Sequence, residues 1–188
     1  MNKNVLLIIL FFSLTFQCFA KEFKYTDYEY SKYERSSMEY SSYTGEVFIE
    51  ESPKNIFLKI VYNENDTSEY IKLGEKDWKK FLEISDIYIS FSNMADREEI
   101  KIDKFIDSIE NISAGYIEGS KEIKIKAVIK FYVISKELNN HNLVLSIVQN
   151  NGKIKKLYFS KEQVIELQNI INPNNIKAAI LNNSSGDE

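Results

Sequence analysis

The chain has little of what most catalytic sites are built from. Its 188 residues include one cysteine, one histidine, one tryptophan, two prolines and six scattered glycines. The cysteine, Cys18, stands in an apolar leader, so a chain cut after Ala20 enters an oxidising compartment with no thiol and no disulfide. A lone imidazole, His141 in the polar stretch Asn139–Asn142, leaves no multi-histidine zinc site, and without a thiol there is no Cys–His pair. The same scarcity is taken to set aside a Ser–His–Asp site. The glycines form no phosphate-cradling loop. Acidic pairs such as Glu98-Glu99 read as solvated surface rather than as acid–base or calcium chemistry. The expectation is a protein that is not an enzyme and uses no cofactor and no metal.

Long apolar runs are also missing, except at the start. Val5–Phe16 is interrupted only by Ser13 and Thr15, Lys3 precedes it, and Cys18-Phe19-Ala20 places small residues three and one positions before Lys21. Residues 1–20 read as a secretory signal peptide cleaved between Ala20 and Lys21, too short for a membrane span. The alternative is lipid attachment at Cys18, for which Gln17 is a poor neighbour. Heavy use of Lys, Asn and Ile suggests an AT-rich bacterial genome, so the expected location is periplasm or cell surface. No later stretch reaches membrane-spanning length.

What the chain does have is tyrosine, alternation and lysine. Residues 21–44 carry Tyr25, Tyr28, Tyr30, Tyr33, Tyr40 and Tyr43 among Ser, Glu and Lys, and read as a tyrosine-rich leader or a first strand. Residues 121–136 form the clearest strand pattern, with Ile123, Ile125, Ala127, Ile129, Phe131 and Val133 on one face. Leu143–Gln149, the turn Asn150-Asn151-Gly152 and Ile154–Phe159 read as a hairpin with a type I′ turn. In its second strand Lys155, Leu157 and Phe159 share one side, opposite Ile154 and Lys156. Ser160 and Gln163 form a capping box for a helix through Val164 and Leu167, which stops before Pro173.

A similar block lies 86 residues earlier, where Phe57–Tyr62, Ser68–Leu73 and a helix with Trp78, Phe81 and Ile84 follow one another. The pattern suggests an internal duplication. Residues 45–95 form the first strand–strand–helix repeat, 96–120 connect, 121–173 form the second repeat and 174–188 make a C-terminal turn and tail. Whether Ile100–Ile109 is helix or strand stays open, and Gly115 and Gly119 bracket a turn region. The expected fold is α+β, two β-rich halves each of antiparallel strands followed by one helix. Phe57-Leu58-Lys59-Ile60, Tyr70-Ile71-Lys72-Leu73, Trp78 and Phe81 resemble the PUR repeat, a ββββα unit that occurs in tandem. That resemblance implies a paired-repeat topology and binding of single-stranded nucleic acid.

Charge is unevenly spread. Residues 121–161 hold nine lysines against two acidic residues, within a chain whose net charge is −4. The candidate binding face is Lys124, Lys126, Lys130, Tyr132, Lys136, Lys155, Lys156 and Tyr158. None of these cations is arginine, so bidentate phosphate recognition is not on offer. The leading functional expectation is an exported envelope module that binds a protein, a peptide or another copy of itself. The alternative is a polyanion (nucleic acid, glycan or anionic lipid) held on this face.

Overall fold

The computed structural model of the chain describes residues 21–34, 37–64, 67–118 and 121–185. The expected signal peptide, its cut after Ala20 and the Cys18 alternative lie outside these residues. Eight strands run up and down in sequence: β1 (Lys21–Glu34), β2 (Glu39–Glu51), β3 (Ile56–Glu64), β4 (Thr67–Gly74), β5 (Asp103–Glu118), β6 (Lys121–Glu137), β7 (Asn140–Gln149) and β8 (Ile154–Phe159). Helix α1 (Glu75–Glu98) separates β4 from β5, while α2 (Lys161–Ile170) and α3 (Pro173–Ser184) follow β8.

Every strand pairs antiparallel with its sequence neighbour, and β8 returns to β1, closing a single barrel. This corrects the α+β expectation of two halves. The decisive contact is β4 on β5, where Tyr70 pairs with Gly115 and Ile71 with Ala114 across the intervening helix. One sheet therefore runs through the supposed boundary, and the structure gives the internal duplication no support. Similar strand–turn–strand–helix spacing arises wherever an amphipathic hairpin leads into a capped helix. The connecting segment 96–120 is mostly β5, and Gly115 lies within that strand rather than at a turn.

Alternation builds the barrel's two surfaces. On β6 the odd-numbered Ala127, Ile129, Phe131 and Val133 are buried inside, and on β7 Leu143, Leu145 and Ile147 meet them in register. An apolar interior and charged exterior is the reverse of the pattern by which a barrel spans a bilayer. Among the described residues no helix is long and apolar enough to cross a membrane. Helix α1 buries Trp78, Phe81, Ile84, Tyr88 and Ala95 along one stripe. Phe81 meets the inward-facing Phe131 edge-on at 5.3 Å. Val164 and Leu167 of α2 join the same cluster, so the core passes unbroken from barrel to helices. The four residues expected as the cores of two repeats thus belong to one core.

The closure is narrow. Strands β1 and β8 share one residue pair, Ser31 with Tyr158. The ring of Phe159 reinforces it, stacking on Tyr28 at 6.3 Å and lying 6.5 Å from Tyr30. The tyrosine-rich stretch is therefore wall and core of the barrel. The β7–β8 turn also departs from expectation. Only Gly152 has positive φ (84°), and its N–H donates to the Gln149 carbonyl at 3.0 Å while Gln149 N–H donates to Lys153. That is a three-residue loop closed by a left-handed glycine, not a type I′ turn.

Candidate functional site

The outer wall of β6, β7 and β8 is banded. Strand register aligns Val128, Val148 and Ile154 in one row, Lys130, Ser146 and Lys156 in the next, and Tyr132, Val144 and Tyr158 in a third. These outward positions alternate with the inward-facing ones because a strand has period two, although Ser146, between Lys130 and Lys156, is itself buried. Lys126 and Lys136 extend the wall along β6. From Lys126 to Lys136, and along β7 and β8, no outward position is acidic.

The aromatic row continues past the three strands. Phe105 of β5 meets Tyr132 edge-on at 5.4 Å, and Tyr40 of β2 meets Tyr158 at 5.0 Å. Tyr33 lies 5.3 Å from Tyr40, and the Lys136 ammonium sits 4.3 Å from the centre of the Tyr40 ring. Val144, flanked in register by Tyr132 and Tyr158, is fully buried although it faces outward. Burial, with Tyr40 and Tyr33 nearby, pushes the Tyr158 phenol up, and burial with Tyr33 does the same to Tyr40. Both stay neutral at physiological pH and add no negative charge to the wall.

Of the eight residues expected on one face, the structure brings together Lys126, Lys130, Tyr132, Lys136, Lys156 and Tyr158. Lys124 faces outward too but ends in a cleft, 3.5 Å from Glu122. Lys155 points the other way. It shares the side of Leu157 and Phe159, and its ammonium reaches Glu69 at 3.4 Å inside the wall. Tyr62 and Gln149 donate to the other oxygen of the same carboxylate, at 3.3 and 3.4 Å. Period two along β8 already separates Lys155 from Lys156, so grouping them by charge alone overrode the geometry. Sequence reasoning missed Phe105, Tyr33 and Tyr40 as members of the face: pairing of β5 with β6 sets Phe105 beside Tyr132, and barrel closure brings Tyr33 of β1 and Tyr40 of β2 to the β8 side.

Two other polar clusters are built into the fold. A cleft of about 370 Å³ on the far wall is lined by Glu22, Glu50, Lys59, Tyr70, Lys72 and Glu122, among others. There Lys72 holds Glu50 at 2.6 Å and Lys59 holds Glu22 at 3.3 Å. Burial, then Glu122, drives the Tyr70 phenol far up. The second cluster corrects the dismissal of a Ser–His–Asp row, since one imidazole suffices for one such row. Ser135 Oγ lies 2.7 Å from His141 Nδ1, and His141 Nε2 faces Asp96 Oδ1 at 3.1 Å. That last contact is close but poorly aimed, and neither atom has another partner.

The row lies where three parts of the chain meet. Ser135 Oγ accepts the Ile102 N–H at 2.6 Å and meets His141 Nδ1 at 2.7 Å. The His141 side chain is 1% exposed and that of Asp96 37%. Tyr88 donates to the His141 carbonyl at 2.6 Å, and Lys161 stands 3.6 Å from Asp96. The end of α1, the β6–β7 hairpin and the start of α2 are thereby tied together. Among the described residues no group of three or more His, Cys, Asp or Glu is placed to hold a metal ion.

Compared with known proteins, the chain matches no family model, and neither a curated protein nor a solved structure resembles it at a significant level. The functional reading therefore rests on the wall itself.

Proposed function

We propose that the chain is an exported, non-catalytic binding module of a bacterial envelope, that its working surface is the outer wall of β6–β8, and that its partner is anionic. One contrast carries this reading. On β1, β3 and β4 several lysines are matched, Lys24 with Asp27 and Glu46, Lys59 with Glu22, and Lys72 with Glu50. Lys126, Lys130 and Lys156 have no acidic partner among the described residues, in a chain where acids outnumber bases. Uncompensated cations on one wall cost self-repulsion and attract anions. This moves the polyanion alternative ahead of a neutral protein or peptide partner. The apolar leader supports export.

Heparin chromatography of the chain from Lys21 tests the reading. The protein should be retained at low salt, with affinity falling steeply as salt rises, because bound cations displace counterions. A Lys130→Glu/Lys156→Glu variant should elute much earlier, while Lys24→Glu, at a lysine already matched by Asp27 and Glu46, should elute closer to the parent. Flow-through of the parent protein would end the proposal.

A further inference from the structure

We infer that the anionic partner is the headgroup layer of a lipid membrane, on which the barrel lies side-on without inserting a strand. The inference rests on the reading of β6–β8 as an anion-binding wall and adds what its shape and banding imply. The wall is the outside of a barrel, with strands about 4.8 Å apart, and is convex. The cleft at Tyr70 touches β6 only at its first residues, Glu122 and Lys124, and a second one, at Glu51–Ile56 and Gly74, lies elsewhere. A single-stranded polymer is gripped by a groove that tracks its backbone. A headgroup layer needs no concavity.

Composition points the same way. The lysine row Lys130–Ser146–Lys156 runs between an aliphatic row, Val128–Val148–Ile154, and the tyrosine row. Ile154, at the margin, is 58% exposed, and Phe105 at the other end of the tyrosine row is 49% exposed. Tyrosine and lysine both pair an apolar body with a polar tip, which suits a boundary between headgroups and acyl chains. Lysine is a point charge that needs no fixed geometry from its anion, so it serves a diffuse charged surface better than it serves one phosphate.

Co-sedimentation with vesicles tests this. The protein should sediment with phosphatidylcholine vesicles containing phosphatidylglycerol and remain in solution with phosphatidylcholine alone. High salt should release it. Neutralising two lysines, Lys130→Gln/Lys156→Gln, should weaken vesicle binding on the order of thirtyfold. Ile154→Ser, at an exposed site where folding is not at stake, should weaken vesicle binding while leaving heparin elution little changed. Heparin retention without vesicle binding would overturn the lipid inference and leave a soluble polyanion as partner. Equal binding to neutral vesicles, or indifference to Ile154→Ser, would overturn it as well. Loss of both heparin and vesicle binding would bring down the inference and the proposed function together.

Discussion

Two glycines separate packing strain from backbone strain. Gly45 pairs with Tyr28 inside the barrel, and a Cβ there would stand 2.3 Å from the buried ring. Gly152 has open space around its missing Cβ but sits at φ 84°. Gly45→Ala should cost about 1–3 kcal/mol by overpacking, and Gly152→Ala about 1–2 kcal/mol from the left-handed backbone alone. Urea midpoints check both. A Gly45→Ala protein as stable as the parent would mean the Tyr28 ring can move, contrary to its hydroxyl's bond to the Val61 carbonyl. Charge has a residue-scale consequence as well. The Ser108 N–H, then Lys80, hold the Asp107 carboxyl below its usual value. A depressed folded value means Asp107 stabilises above its unfolded pKa, and this is lost as pH falls through the folded one, below about pH 4. Asp107→Asn should lack that loss, with a difference in Tm of about 1–2 °C at an exposed ion pair. Identical acid limbs in thermal melts would refute it.

At the scale of elements, what was legible in the sequence was local. The Ser160–Gln163 capping box is present in both directions, Ser160 N–H donating to Gln163 Oε1 at 2.9 Å and Gln163 N–H returning to Ser160 Oγ at 3.4 Å. Ser160→Ala should cost about 1 kcal/mol, read as an unfolding midpoint. An unchanged midpoint would show that packing of Val164 and Leu167 fixes the helix start unaided. Strand β5 shows why other elements were illegible. Its register shifts between Phe105 and Asp107 and again between Ile109 and Ile112, with Asn111 at φ 59°. Each bulge inserts a residue and resets the period of two. Ile102, Phe105, Ile106 and Ile109 consequently fall at helical spacing along what is a strand. Similarly, α3 reaches Ser184 because Asn172 caps it through Asn174 N–H at 2.9 Å and Pro173 takes the first turn, where no N–H is needed.

For the molecule as a whole, the seam between β1 and β8 is the weak line. One residue pair and the rings of Tyr28, Tyr30 and Phe159 hold it, whereas β5–β6–β7 are paired over most of their length. Phe159→Ala should therefore cost about 3–5 kcal/mol and open the barrel there first. Native-state hydrogen exchange should find β8 amides protected less than those at the centres of β6 and β7. Uniform protection around all eight strands would contradict a seam. Because the barrel is made wholly of strand pairings closed by its two ends, folding should be slow for its size, as high contact order requires.

The sequence by itself determined which side chains face in and which face out along β6, β7 and β8, the hairpin at Asn150–Gly152, and the cap of α2. All of these depend on neighbours within a few residues. Only the tertiary structure decided that the strands close into one barrel, because nothing local states that β4 skips a helix to pair with β5 or that β8 meets β1. The same closure brought Tyr33 and Tyr40 to the flank of the lysine-rich wall. Packing of the helix end on the β6–β7 hairpin set Asp96 beside Ser135 and His141, which pair across that hairpin. Faces are written in period and caps in spacing, but pairing is set by how the whole apolar surface is buried at once.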